Sequence, residues 1–445
     1  MKFVYVLLAL CLCGLRAHAQ ESLLAAETLL PKQQMVEDSS PPLTLDEVEQ
    51  KAMIGNPEIR VAVRQLAVVQ TRVSTAGALE DPSFMYRAWG VPLRQPWNYN
   101  AAQNMFMVGQ TFPWPGKRDL RTNIAQSDAD VAKAALENTR LQVRIAVRKA
   151  FYDLLRTQDE MRIHDEHVAI ARQAVEAAKI KYTVGNVPQQ DILKAQVALT
   201  RLAEHLIHFE QDADVARSKL NTLMGRDPAL PIRVAGDYRI PARFPGTEDL
   251  EKLALQSRPD LAQARAMIHK SEQEQKLAAR TFQPDVTVAG GYMLMPRGSE
   301  QRNSYMLEGS INLPWLNHRK HDAEIEEARA KVSEQEAEYE ALQSTAFGQI
   351  QEAMSQARAS KRLADVYQSA LKPQAEATLR STLIAYENNH TDFLNLLDSQ
   401  TAVIDIDLAY YQALADFEAR FSDLELAVGA PINRNTQAKA PEVTK

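Results

Sequence analysis

The chain has 445 residues, of which 45% are hydrophobic, 7% aromatic and only 16 glycine, with a formal net charge of -6. That length exceeds one ordinary domain, and the scarcity of glycine disfavours both disorder and a glycine-rich all-β fold. The negative charge argues against nucleic acid as a partner, so a mainly helical chain with some strand is the first expectation.

Residues 1–19 read as a secretory signal peptide, with Lys2 at the basic start, an apolar run from Phe3 to Leu15, and Ala17-His18-Ala19 as a small-x-small cleavage site. Cleavage after Ala19 removes both cysteines, Cys11 and Cys13, together with Lys2 and Arg16; 49 basic and 57 acidic residues remain, a net charge of -8. A lipid-anchored cysteine needs a small residue before it, and Leu10 and Leu12 stand there instead. Residues 20–43 form an N-terminal extension. Beyond residue 20 no apolar run approaches the roughly 18 residues of a membrane helix, so entry into a membrane would have to use strands.

The remaining chain is duplicated. Asn56-Pro57-Glu58-Ile59 matches Arg258-Pro259-Asp260-Leu261 at an offset of 202, and Phe112-Pro113-Trp114 matches Leu313-Pro314-Trp315 at 201. Tyr182, Leu193, Gln196 and Gly225 match Tyr386, Leu397, Gln400 and Gly429, all at 204. These landmarks define a first repeat over residues 44–245, a second over 246–430 and a polar tail over 431–445.

Each repeat reads as helix, strand, strand, very long helix, turn and long helix. The strands are expected at Ser83–Gly90, Met105–Phe112, Val286–Leu294 and Ser304–Leu313, each near the nine to eleven residues of a membrane strand. The fourth alternates, with Tyr305, Leu307, Gly309, Ile311 and Leu313 on one face and Met306, Glu308, Ser310 and Asn312 on the other. Lipid on one side and water on the other would produce that pattern. Open edges are not tolerated in lipid and known barrels begin at eight strands, so four strands per chain predict a dimer of eight or a trimer of twelve.

From Lys117 to Val184 there is neither glycine nor proline, enough for a helix about 100 Å long. Val147, Leu154, Met161, Val168, Val175 and Tyr182 recur every seven residues, with Ala150, Thr157, His164, Ala171 and Ala178 three further on, a heptad seam of large and small residues. The returning helix continues the pattern at Leu199, Leu202, Leu206, Phe209, Ala213, Ala216 and Leu220. Gly185 and Asn389 offer left-handed stops at the two reversals, giving antiparallel hairpins with sharp tips. Gly348 and Pro373 are expected to kink or locally unwind the second outgoing helix.

Taken together, Asn56-Pro57-Glu58-Ile59, the strand exit Gln110-Thr111-Phe112-Pro113-Trp114-Pro115-Gly116-Lys117-Arg118, Arg258-Pro259-Asp260-Leu261 with Pro284-Asp285, Leu313-Pro314-Trp315, and the tips Tyr182-Thr183-Val184-Gly185 and Leu396-Leu397-Asp398-Ser399-Gln400 resemble the TolC-type outer-membrane efflux proteins over residues 44 to 430. The resemblance implies a homotrimer in the outer membrane of a Gram-negative bacterium, with a twelve-stranded β-barrel in lipid continued by a twelve-helix periplasmic α-barrel. It also implies a periplasmic adaptor and an inner-membrane pump of the RND type as partners. A periplasmic gate follows from the same resemblance. Asp398 takes the position of a carboxylate ring that narrows the mouth, with Asp392 in support; Asn395 stands where some relatives carry a second acid, and Asp191 matches a position that ties neighbouring helices in the closed state. Tyr182, Gly185, Asn186, Tyr386, Asn389 and Thr391 fall at the tips, where an adaptor would dock.

His164 and His167 before the first reversal and His205 and His208 after it fall at one height, about 30 Å above the tip. Such i, i+3 pairs on long wetted helices are ordinarily surface, and no metal site is assigned to them or to His318 and His321. No metalloprotease, phosphate-loop or nucleophile-elbow pattern occurs, so neither an enzyme nor a cofactor is proposed. The exit Pro113 to Arg118 is closest to the heavy-metal Cus and Czc branch, which makes a passive duct for heavy-metal cations the leading function. The alternatives are the same duct exporting drugs or peptides, and a periplasmic coiled-coil adaptor or scaffold.

Overall fold

The computed structural model describes residues 41–434 apart from Asn186 and Asn389. The signal peptide, most of the N-terminal extension and most of the polar tail therefore lie outside the described residues, as do the left-handed stop expected at Asn389 and the tip position Asn186. The elements in chain order are α1 (Leu45–Gly55), α2 (Pro57–Ala76), β1 (Ser83–Trp89), β2 (Gln103–Phe112), α3 (Lys117–Thr183), α4 (Gln189–Leu223), α5 (Thr247–Ser257), α6 (Pro259–Ala279), β3 (Val286–Leu294), β4 (Asn303–Ile311), α7 (His318–Val366), α8 (Lys372–Glu387) and α9 (Phe393–Val428). No helix among the described residues is long and apolar enough to cross a membrane. The chain divides into a strand unit, residues 60–139 and 255–346, and a helical unit formed by the remainder.

In the strand unit the four strands form one antiparallel sheet in the order β1-β2-β3-β4. Directly opposed residues and residues two apart share a face. The register therefore gathers Phe84, Tyr86, Phe106, Val108, Tyr292, Tyr305 and Leu307 on one face, and Arg87, Thr111, Thr287 and Glu308 on the other. The first face is aromatic and aliphatic, and Tyr305 on it is 91% exposed. Both charged strand residues stand on the second face. The expected strand limits hold to within two residues at each end.

Two motifs from different repeats meet beneath the sheet. Lys117, at the start of α3, donates from Nζ to Asp285 Oδ1 and to the Gln283 carbonyl, each at 2.8 Å, and the same carboxylate oxygen accepts the Trp114 N–H at 2.9 Å. Partial burial raises the Asp285 carboxyl, but the Lys117 and Trp114 hydrogen bonds outweigh it and hold the group below its ordinary value. The exit of the first repeat's strands is thus pinned to the entrance of the second's.

In the helical unit, α1 begins with a capping box in which Thr44 and Glu47 satisfy each other's backbone N–H groups. Asn56 then joins α1 to α2: its Oδ1 accepts from Glu58 N at 2.8 Å and Ile59 N at 3.1 Å, and its Nδ2 donates to the Leu223 carbonyl at 2.9 Å. Leu43 bridges Val234 in parallel fashion, bringing the start of the described chain against the segment after α4.

The absence of glycine and proline lets α3 run unbroken for 67 residues. Its seam is buried at Val147, Ala150, Leu154, Thr157, His164, Ala171, Val175 and Ala178, whereas Tyr182 at the end of the seam is exposed. Ala171 packs with Leu202 of α4 and Ile404 of α9, so small seam residues admit helices from both hairpins.

The two expected interruptions in the second outgoing helix behave differently. Gly348 lies inside α7 with no break, because one glycine costs only about 1 kcal/mol in a helix that packs along its length. The break comes at Tyr367–Leu371, a π-helical turn directly before Pro373, in which Lys372 N–H reaches back to the Tyr367 carbonyl. Proline lacks an N–H and crowds the preceding turn, so the widened turn falls on its N-terminal side.

Candidate gate and channel site

The tips of the two hairpins are joined by a contact that the sequence does not announce. Val175 and Ala178 of α3 and Ala195 of α4 pack with Tyr386 of α8 and with Phe393 and Leu396 of α9. Lys181 on α3 places its Nζ 3.9 Å from the centre of the Tyr386 ring and donates to the Tyr386 carbonyl at 2.8 Å. A cation over a ring and a charge-assisted hydrogen bond to the same residue together fix one hairpin on the other.

Tyr386 is only 5% exposed and its ring meets Phe393 edge-on at 5.7 Å. It therefore lies inside the hairpin pair and not on a surface offered to an adaptor. The expectation failed because a tyrosine beside a turn resembles an exposed contact residue until its helix face is known. Its hydroxyl is buried without a hydrogen-bond partner. Burial, and after it the charge of Asp191, raise the phenol above its ordinary value. Asp191 sits half-buried in the first turn of α4, where the helix dipole favours a carboxylate.

The four expected gate residues differ in what holds them. Asp392 is the N-cap of α9, accepting from Asn395 N at 3.0 Å, so its side chain is occupied locally. The Asn395 side chain donates to Thr391 Oγ1 at 3.0 Å. Asp398 is exposed on α9, one turn further along. Of the other tip residues, Gly185 has a φ of +80° with open space around a Cβ position, as its left-handed role requires, and Tyr182 is 42% exposed.

The histidines separate although they share a height. His164 is buried, with its Nε2 2.5 Å from the Leu202 carbonyl and its ring edge-on to Phe209 at 5.9 Å. His167 is buried facing α9, its Nε2 3.7 Å from Asp407 Oδ2, while His208 is exposed. Lys372, just below the π turn, approaches the other Asp407 oxygen at 2.8 Å. Burial raises the Asp407 carboxyl, yet His167 and Lys372 together hold it below its ordinary value. One carboxylate thus ties α3, α8 and α9 at the level of the bend. Among the described residues no group of three or more histidine, cysteine, aspartate or glutamate side chains is placed to hold a metal ion.

A four-stranded antiparallel sheet attached to two hairpins of very long helices is the protomer of a trimeric TolC-type channel, in which three chains complete a twelve-stranded barrel above a helical tunnel. The chain belongs to the outer membrane efflux protein family, whose sequence profile matches residues 48–226 and 250–430. It is 23% identical over 379 residues to the cobalt-zinc-cadmium resistance protein CzcC of Cupriavidus metallidurans, covering 85% of this chain and 88% of that one. Among solved structures it superposes on CusC with a TM-score of 0.73 at 14% identity, over 87% of this chain and 92% of that one. It also superposes on the CmeC outer membrane channel of Campylobacter jejuni, with a TM-score of 0.70 at 15% identity, over 88% and 87%. The protein is an outer-membrane efflux channel of a Gram-negative cell with its helical tunnel in the periplasm, and the family is one of channels, not enzymes. The soluble-scaffold alternative falls with that membership. The aromatic face of the sheet is then the lipid face, and the face with Arg87 and Glu308 lines the lumen.

Proposed function

We propose that this channel is the outer-membrane duct of a tripartite pump, joined through a periplasmic adaptor to an inner-membrane transporter of the RND type, and that heavy-metal cations are its cargo. The observation that carries the cargo is the likeness to a cobalt-zinc-cadmium resistance protein over most of both chains. The duct needs no energy source of its own; it supplies a water-lined path and a gate. The test is cell-associated cobalt, zinc, cadmium and copper after metal challenge, in a strain lacking the protein and in the complemented strain. Excess metal that complementation reverses supports this cargo. Unchanged metal with increased sensitivity to drugs or peptides would replace it by that export.

The gate is placed at the tips. Lys181 and Tyr386 hold the two hairpins of one protomer together, and Asp398, exposed beyond them, provides one carboxylate per chain for a threefold ring. Three like charges in a narrow mouth concentrate cations. In planar bilayers Asp398→Ala is expected to raise the resting conductance and to lower the cation preference by at least about fivefold, the scale of one unit charge acting on a nearby ion in water, since the substitution removes three. Resting conductance and selectivity equal to wild type would remove Asp398 from the gate. Tyr182, Gly185 and Thr391 are the described tip residues offered to the adaptor, and Asn186 and Asn389, outside the described residues, belong to the same proposed set.

A further inference from the structure

The strands carry five of the 13 methionines of the chain, and all five stand on the lumen face. Met85 is opposed to Met107, Met107 to Gly291, and Gly291 to Met306; one step along the strands, Arg87 is opposed to Met105 and Met105 to Met293. Methionines serving only as apolar covering would stand on the lipid face, where these strands have none. Met105 and Met107 are 8% and 3% exposed, so the sulfur-bearing chains lie along the wall. A Cβ at Gly291 would meet Met107 Cγ at 2.7 Å, so that glycine is the hollow into which Met107 folds on the side of Met306.

Two of the sulfurs converge. The Gln103 side-chain amide nitrogen is in contact with Met293 Sδ and lies 3.8 Å from Met105 Sδ. A thioether sulfur is a weak acceptor, so the amide nitrogen marks a point at which lone pairs from two strands are directed. The other end of the same amide is an oxygen ligand. Met85 stands apart, because the Arg87 guanidinium lies 3.5 Å from its sulfur.

We propose that Met105 and Met293, with the Gln103 amide and with Met107 and Met306 beside them, form a transient site for a soft monovalent cation, Cu(I) or Ag(I), on the lumen wall, repeated in each protomer. Thioethers select soft ions, whereas zinc and cobalt favour imidazole, thiolate and carboxylate, of which the strand residues on this face supply a single group, Glu308. Few, weak donors suit a duct, since an ion must leave as readily as it binds. The inference rests on the barrel alone and not on the cargo proposed above.

The test is silver binding to the purified trimer in detergent and chloride-free buffer, followed by equilibrium dialysis and by X-ray absorption at the silver edge. Wild type is expected to bind about one ion per protomer with sulfur neighbours. Met105→Leu/Met293→Leu, which keeps side-chain volume, should weaken binding by roughly tenfold or more. Equal affinity and stoichiometry in the double variant would overturn the site. If the double variant does not assemble, the absorption spectrum of wild type decides: a silver shell of oxygen and nitrogen only overturns the proposal. Silver held through sulfur by a protein whose deletion leaves cellular metal unchanged would remove the metal cargo and leave this site standing.

Discussion

Gly225→Val is expected to leave no assembled trimer in the outer membrane. Gly225 follows α4 with a φ of +69°, where an L side chain costs about 1–2 kcal/mol. The larger effect is contact: a Cβ there would lie 2.2 Å from the Gly55 carbonyl oxygen, and a Cβ on Gly55 would lie 2.2 Å from the Met224 carbonyl oxygen. Both obstacles are backbone, so no side chain can turn aside, and the ends of α1 and α4 would have to separate. That separation would pull on Asn56, whose amide caps α2 and reaches Leu223. The combined cost exceeds about 4 kcal/mol, the scale that unfolds a marginal protein. Heat-modifiable trimer in membrane fractions is the measurement. Gly225→Asn separates the causes, because asparagine accepts positive φ but still brings a Cβ; a normal trimer in that variant would show that conformation alone matters.

Arg434→Met should destabilise the helical unit by about 3–5 kcal/mol at neutral pH, since it leaves a buried carboxylate without its cation. Glu418 on α9 is 0% exposed, accepts the Arg239 N–H at 2.6 Å and meets Arg434 Nη1 at 2.8 Å. Burial raises the Glu418 carboxyl above its ordinary 4.5, with Arg434 and then the Arg239 N–H opposing. The folded state therefore binds more protons than the unfolded state between 4.5 and that raised value, and stability from this group falls as pH rises through the window. Removing Arg434 lifts the folded value further and extends the window upward. The deficit of the variant is thus expected to be smaller at pH 5 than at pH 8, as read by denaturant midpoints in detergent. A deficit independent of pH would show that Glu418 is not the group left stranded. Glu418→Leu together with Arg434→Met should recover most of the loss.

What the sequence disclosed follows from what repeats along it. The glycine- and proline-free stretch marked α3, the heptads marked the buried face from Val147 to Ala178, and alternation marked β4, because each is a periodicity that a backbone geometry imposes locally. The pairing of Lys117 with Asp285 was half legible: both residues stood in motifs, but 168 positions separate them and only the fold brings them to 2.8 Å. Lys181 escaped notice because a lysine near a helix end is ordinarily solvated, and nothing local places an aromatic ring from the other repeat beneath it. The methionines escaped for a related reason. Each strand holds one or two, and only the register across four strands puts them in rows. Gly348 shows the opposite failure, a residue with a strong local preference overruled by packing along the whole helix.

The π turn has one more consequence. Between the landmark tryptophans and the landmark tyrosines the second repeat is three residues longer than the first, the offset growing from 201 to 204. A π turn absorbs one surplus residue of those three without unravelling the helix, at the cost of poorer hydrogen bonds in that turn. The two arms of the duplication therefore differ in build: the first is one continuous α-helix, the second is interrupted by a π turn at Tyr367–Leu371. A change of length between the repeats has left the protomer with one arm whose hydrogen-bond ladder is regular and one with a weaker turn part-way, an asymmetry that two identical repeats could not have had.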